Sequence, residues 1–487
     1  MNDFVFSLLM LGALSSSGTL PFWMTANTHG LMCEAPGVFA YAGVSTQFDD
    51  SKTFQWRWGA SFAANAYDNP VLEEPGRFNV LADELYASLR WKVLTLDVGQ
   101  KHRDMDFLAS DQALGSVSST SGHLIESGNA RSIPGYLLSL APVSVPFTGG
   151  RLSLYGAYGD YKTLDDRYVE GALLHRMRFG LKASLAPRLT LDLLLDHCAL
   201  WGGTSPLTGK MPVNIENYFR VVTGRSAGSS GSLSDRINVI GDQRGSETIR
   251  LDWRGDGWKA AFQHDIPYDD GSGMGLQNFP DGINTVWFGF DDKDRWVSDI
   301  AYEYHYTMFQ SGPINGEMHD EEGHSLTPEG VKTTGGDNYF NNGEYRSGWT
   351  YHGRTIGSPL FYPCGTRAGS WTSASVSAGV ENNRIRAHHL GLSGKLFNTH
   401  PYKLMLTYSR NYGTYSLPYA GESPWGKKWG TVKETPLNQF SGAFIGFFRD
   451  IFGISGLDGT YGLFLDAGDV LPVSSGLSFG LRYSMNR

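Results

Sequence analysis

After its first residues the 487-residue sequence contains no stretch approaching the roughly 20 consecutive apolar residues of a transmembrane helix, which excludes a helical membrane protein. Charge is scarce as well. Asp, Glu, Lys and Arg make up 18% of the chain, the formal net charge is −9, and no Lys/Arg run appears. The electrostatic footprint of a nucleic-acid binder is therefore missing. Cys33, Cys198 and Cys364 are odd in number and far apart, so they give neither a disulfide framework nor a zinc spacing and read as isolated thiols. No cofactor, no metal and no enzymatic activity is expected.

Glycine and aromatic residues are what the chain has in quantity, with 61 Gly and 13% Phe, Trp and Tyr. A β-barrel strand crosses a membrane in about 10 residues, only every second one apolar, so mean hydropathy stays near that of a soluble protein. The negative mean hydropathy of this chain fits that solution. Period-two patterning is plain around the Gly255-Asp256-Gly257 turn: Ile249, Leu251 and Trp253 share a face with Trp258, Ala260 and Phe262. Arg250, Asp252, Lys259, Gln263 and Asp265 take the other face. The same alternation runs through Leu94, Leu96 and Val98, through Ile300, Tyr302, Tyr304 and Tyr306 against Asp299, Glu303 and His305, and through Tyr402, Leu404, Leu406 and Tyr408.

A soluble sandwich would alternate in this way too. The last strand favours the membrane: Leu477, Phe479, Leu481, Tyr483 and Met485 alternate with Ser478, Gly480, Arg482 and Ser484, which resembles the C-terminal signal read by the barrel-insertion machinery. Short turns near Trp91, Pro187, Asp256, Lys293 and 398–401 alternate with long connections near 104–134, 202–245, 267–282 and 413–437, as short periplasmic turns and long outer loops require. The count comes to about eighteen antiparallel strands if residues 308–383 form chiefly one extracellular loop without a spanning strand. An outer-membrane barrel in a Gram-negative bacterium is the fold and location expected. Residues 1–18, with an apolar run from Phe4 to Leu14 followed by small residues, read as an export signal, although the basic start of such a segment is absent. Residues 19–487 form the single barrel domain.

Residues 337–357 mix the groups that recognise a polysaccharide. Sugar C–H faces stack on aromatic rings, while hydroxyls and carboxylates pair with Asn, Asp and Arg. Tyr339, Tyr345, Trp349 and Tyr351 supply rings; Asp337, Asn338, Asn341, Asn342, Glu344 and His352 supply hydrogen bonds; Arg346 and Arg354 suit acidic sugars. The bland alternative is a self-packed loop whose polar side chains satisfy its own backbone. Three other features read as structure. Glu317, His319, Asp320, Glu321, Glu322 and His324 form a solvated acidic loop without a metal spacing. Gly323 to Thr327 lacks the final glycine and context of a nucleophile elbow. His175, His197, His388 and His389 are packing residues on or beside strands. Residues 224–234 read as a flexible Gly/Ser loop, and Asp166 to Met177 carries Val169, Ala172, Leu173 and Arg176 at helical spacing.

Seven segments carry a family resemblance: LPFWMTANTHG, DELYASLRWKVLTLDVGQK, SGNARSIP, the stretch from Asp165 to Gly203, DNYFNNGEYRSGWTYHGRTIG, NNRIRAHHLGLSGK and YSRNYGTY. Together they resemble the Wzi capsule-assembly family, in order, from Leu20 to Tyr415. The resemblance implies an outer-membrane barrel of about eighteen strands with a small helical element. It also implies a lectin-like role in binding capsular or other surface polysaccharide and organising it at the cell surface. The chain departs from that pattern at its N-terminus, where no long helices are read. A selective porin or saccharide uptake channel is the alternative, since charges such as Arg250, Asp252, Lys259 and Asp265 could line a pore.

Overall fold

The computed structural model describes residues 4–69, 74–102, 109–111, 115–225, 240–269, 271–312, 319, 322–325, 336–366, 379–420 and 434–485. Eighteen strands form one sheet. They are β1 (Phe4–Ser15), β2 (Gly37–Thr46), β3 (Phe54–Asn69), β4 (Glu74–Trp91), β5 (Leu94–Gln100) and β6 (Gly135–Ser144). There follow β7 (Leu152–Lys162), β8 (Leu173–Ala186), β9 (Leu189–Trp201), β10 (Asp242–Arg254), β11 (Trp258–Tyr268) and β12 (Gly282–Phe290). The wall is completed by β13 (Asp299–Tyr306), β14 (Ile385–Leu396), β15 (His400–Asn411), β16 (Leu437–Phe448), β17 (Leu457–Gly468) and β18 (Ser474–Met485). Each strand pairs antiparallel with the next, and β18 pairs with β1 from Phe6↔Met485 to Ser15↔Gly476. That last pairing closes the barrel and leaves the sheet without an edge.

The alternation sorts side chains as the sequence suggests. On β13, Asp299, Ala301, Glu303 and His305 are buried toward the lumen while Ile300 and Tyr302 stand exposed on the outside. On β18, Leu477, Phe479, Leu481 and Met485 face out and Ser474, Ser478 and Ser484 face in. The hairpin of β10 and β11 pairs Leu251↔Phe262 and Trp253↔Ala260, with Arg250↔Gln263 and Thr248↔Asp265 on the lumen side. Strand β13 pairs directly with β14, and among the described residues between 307 and 384 none forms a spanning strand, in keeping with the count. Tight turns at 92–93, 187–188, 255–257 and 397–399 lie at one end, and the long connections lie at the other.

Two expectations differ from the structure. Residues 1–18, read as an export signal, hold strand β1 in this structure, paired on both sides. Phe4, Leu8, Met10 and Leu14 face outward, whereas Leu9, Leu11 and Ala13 pack in the lumen with Leu20, Trp23, Met24, Leu31 and Met32. A strand buried in apolar surroundings on both faces loses its alternation and reads as one apolar run. The helix expected over Asp166–Met177 is a loop followed by the start of β8. Val169 and Ala172 are apolar because they join a loop core, and Glu170 bridges to Thr204 in place of helical bonding. The described α-helices are α1 (Phe22–Thr25), α2 (Ile215–Val222) and α3 (Gly271–Met274), all at the long-loop end. Most of the 224–234 stretch and the rest of the acidic loop beyond His319, Glu322 and His324 fall outside the described residues, as do Leu326 and Thr327.

Candidate functional site

Lumen-facing side chains at the long-loop end touch loops rather than water. Residues 16–36, 117–133 and 336–362 fold together into a plug. His29 N–H donates to Gly128 O (2.7 Å), Ser358 N–H to Leu124 O (2.7 Å), and Ser127 N–H to Ile356 O (3.0 Å). The plug sits so close to the wall that a Cβ at Gly391 of β14 would lie 1.7 Å from Val117 O, which glycine alone permits.

Buried charge fixes the plug to one side of the wall. The Glu126 carboxylate pairs with Arg176 and Arg178 of β8, and both guanidinium groups also reach Asp196 of β9. Asp265 of β11 accepts from Leu124 N–H (2.8 Å) and Thr248 Oγ1 (2.7 Å). Glu303 of β13 accepts from Ser119 N–H (2.9 Å) and from the Ser118 and Ser119 hydroxyls. Buried carboxylates are stable only with such partners, because an unpaired buried charge is very costly.

The residues expected to bind glycan lie in this plug, and its packing claims most of them. Tyr339, Tyr345, Trp349 and Tyr351 are buried in one cluster with Leu124, Ile125 and Phe361. Tyr339 OH donates to Asp281 (3.0 Å), Tyr345 OH to Gly202 O (3.2 Å) and Trp349 Nε1 to Ile125 O (2.7 Å). While that packing holds, none of the four rings offers a face to a sugar. The polar members bond to other side chains and to backbone of the plug and its neighbours. Asp337 accepts from Ser311 Oγ (2.5 Å), Asn338 from Asn383 Nδ2 (2.6 Å), Asn341 from Gly379 and Val380 N–H, and Asn342 from Glu344 and Tyr345 N–H. Arg346 caps Gly343 O and lies over the Tyr168 ring. His352 is exposed at a tip where its own N–H donates to Asp165.

Arg354 is different, because it lines a cavity of about 290 Å³ at the long-loop end. The cavity lies between the 19–34 loop, residues 353–366 and the connection from β17 to β18. Arg354 pairs with the exposed Glu34 (3.2 Å) at its rim, and Phe22 and Tyr362 contribute rings. Deeper in, Asp466 of β17 accepts from Phe22 N–H (2.8 Å) and stands directly across from Ser441 of β16. Guanidinium, carboxylate and ring groups thus meet in a recess of saccharide scale. Sequence reading missed Phe22, Glu34, Tyr362 and Asp466. The nearest signal was the unusual LPFWMTANTHG segment, which contains Phe22. Below the plug the lumen keeps two cavities of about 510 and 750 Å³, the first lined by Arg178, Lys182, Asp192, Arg250 and Asp252. Among the described residues no group of three or more His, Cys, Asp or Glu side chains is placed to hold a metal ion.

Solved outer-membrane barrels superpose on this chain to different extents. Wzi, an outer-membrane protein involved in group 1 capsule assembly in Escherichia coli and a carbohydrate-binding β-barrel, superposes with a TM-score of 0.56 at 13% identity, over 99% of this chain and 85% of that one. The Pseudomonas aeruginosa outer-membrane protein OpdK gives 0.44 at 9% identity over 99% and 98%, and OccD3 of the same species gives 0.46 at 8% over 99% and 91%. No protein-family profile and no curated protein matches the sequence. Likeness at these identities shows the fold alone: the chain is a closed eighteen-strand antiparallel barrel of the outer-membrane type.

Proposed function

We propose that this barrel binds surface polysaccharide, capsular or other, and helps retain and organise it on the cell. The observation that carries this reading is the mouth cavity, where Arg354, Glu34, Asp466, Phe22 and Tyr362 meet at the long-loop end of the plug. Long loops of outer-membrane barrels face the cell exterior, so the cavity would meet polymer outside the cell. Arg354 would pair with acidic sugar groups, Asp466 would accept a hydroxyl hydrogen, and Phe22 and Tyr362 would border sugar C–H faces. Wzi of Escherichia coli is a carbohydrate-binding barrel of the same fold, which adds weight to a saccharide ligand. No covalent step is needed; repeated weak contacts along one polymer give retention by avidity.

Deleting the gene in its native host, then measuring cell-bound and released capsular polysaccharide, tests the reading. Release with unchanged total synthesis is expected, and complementation with Arg354→Ala or Asp466→Asn is expected to restore it only in part. Unchanged retention after deletion would overturn the proposal. A second reading, a selective porin or saccharide uptake channel, draws on the two cavities below the plug. It requires measurable ion conductance in planar bilayers, where the plugged lumen of the binding reading gives little.

A further inference from the structure

Helix α2 lies outside the barrel. Strands β7 to β9 point Arg178, Asp192 and Leu194 into the lumen, so Tyr158, Asp160, His175, His197, Ala199 and Trp201 point the other way. The helix covers that outer patch. Val221 is buried with Ala199, Trp201 and Ile240, and Leu173 and Tyr218 pack against them. Tyr218 OH donates to Asp160 (2.9 Å), whose other oxygen is hydrogen-bonded to His175 Nδ1 (2.9 Å). Outward polar side chains at the end of these strands are thereby kept from contact with lipid, where burial without partners is costly.

The opposite edge of the helix is apolar and uncovered. Ile215 and Phe219, one turn apart, are 71% and 60% exposed, and Val213 and Leu207 just upstream are 52% and 68% exposed. Asn214 caps the helix by accepting from Asn217 N–H (2.9 Å), and Glu216 pairs with Arg220, so its ends need no further partner to form. On the same outer surface, toward the short-turn end, the wall exposes Leu138, Phe179 and Leu185, which belong to the lipid-facing band. The apolar edge of α2 therefore continues the membrane interface of the barrel at the level where its outward residues turn polar. Lys210 and Arg225, both exposed, flank the helix in sequence.

We propose that α2 is an interfacial foot, whose Ile215 and Phe219 edge inserts into the outer leaflet of the membrane while Lys210 and Arg225 meet lipid phosphates. Short amphipathic helices lie in the interface plane in this manner. The foot extends the apolar belt sideways on one flank and sets the height of the adjoining residues 202–214 relative to the membrane surface.

Photo-crosslinking tests this in the full-length folded barrel reconstituted in vesicles of phosphatidylethanolamine and phosphatidylglycerol. With p-benzoylphenylalanine replacing Phe219, a lipid adduct is expected by mass spectrometry, and none when the label replaces the exposed His352. A protein dimer adduct at 219 would assign the edge to a second copy of the chain and overturn the proposal, as would equal lipid labelling at 219 and 352. Heat-resistant migration of each labelled protein in detergent gels verifies that the barrel has folded. The variant Ile215→Asn/Phe219→Asn, which leaves Tyr218 and Val221 in place, is expected to fold and to lose protection of the 215–222 amides in vesicles but not in detergent. Unchanged protection in vesicles would also reject the foot.

Discussion

The two sides of the lumen hold the same plug by different physics. Strands β1 to β3 and β15 to β17 meet it through Leu9, Leu11, Ala13, Phe39, Met405, Ala443 and Phe464, against Leu20, Trp23, Met24, Leu31 and Met32. Strands β8 to β14 meet it through Arg176, Arg178, Asp265, Glu303 and His389. The apolar side works mainly by excluding water, with a few directional bonds such as Phe22 N–H to Asp466 and Trp23 Nε1 to Thr407, whereas the polar side fixes register through buried charge. One side supplies adhesion and the other supplies position.

Breaking the polar side gives the largest expected effect. Glu126→Ala leaves Arg176 and Arg178 to share Asp196, and removing one partner of a buried ion network costs about 3–5 kcal/mol. The plug is expected to undock, measured as a rise in single-channel conductance with the barrel's heat-resistant gel mobility retained. Leu31→Ala attacks the apolar side at about 2–5 kcal/mol. If plug and wall act as one unit, hydrogen exchange in 117–133 rises in this variant as well; a rise confined to 16–36 would show two independently docked bodies.

Gly391→Ala sharpens the comparison at the closest point of approach. Its Cβ collides with Val117 O, and overpacking of this kind costs about 1–3 kcal/mol. Faster exchange is expected at residues 117–120, and unchanged exchange there would show that the plug backbone gives way freely. The smallest effect is one of pH. Burial, and then the His102 imidazole at 3.6 Å between ring centroids, lower the His29 pKa from 6.5 to about 3, with Asp83 opposing. The neutral ring is the form the fold prefers, so this contribution is whole above pH 6.5 and is lost as pH falls through about 3. Exchange of the His29 amide is expected to speed up beyond its intrinsic pH dependence on acidification, and His29→Gln is expected to flatten that profile.

Much of the wall was legible because a period of two is a local property: Ile300 to Tyr306 and Leu477 to Met485 display it without reference to the rest of the chain. It failed where environment overrode the period. Strand β1, apolar on both faces, resembled an export segment for that reason. The plug was legible only as unusual composition. Nothing in 337–357 reveals that Trp349 is buried beneath Ile125 or that Tyr339 reaches Asp281, because those partners lie far away in sequence. Asp466 looked like one more inward carboxylate. Only its position beside Phe22, 444 residues away in the chain, sets it in a recess.

The seam between β1 and β18 has a consequence for the timing of assembly. It joins residues 6–15 to 476–485, so the ring cannot shut until the last strand has been delivered to the first. The loop that follows β1 carries Trp23 and Met24, which pack on β15 to β17, late arrivals themselves. Closing the circle and seating the 16–36 part of the stopper are thus linked, with a high entropic threshold, because the contacts that reward them span nearly the whole chain.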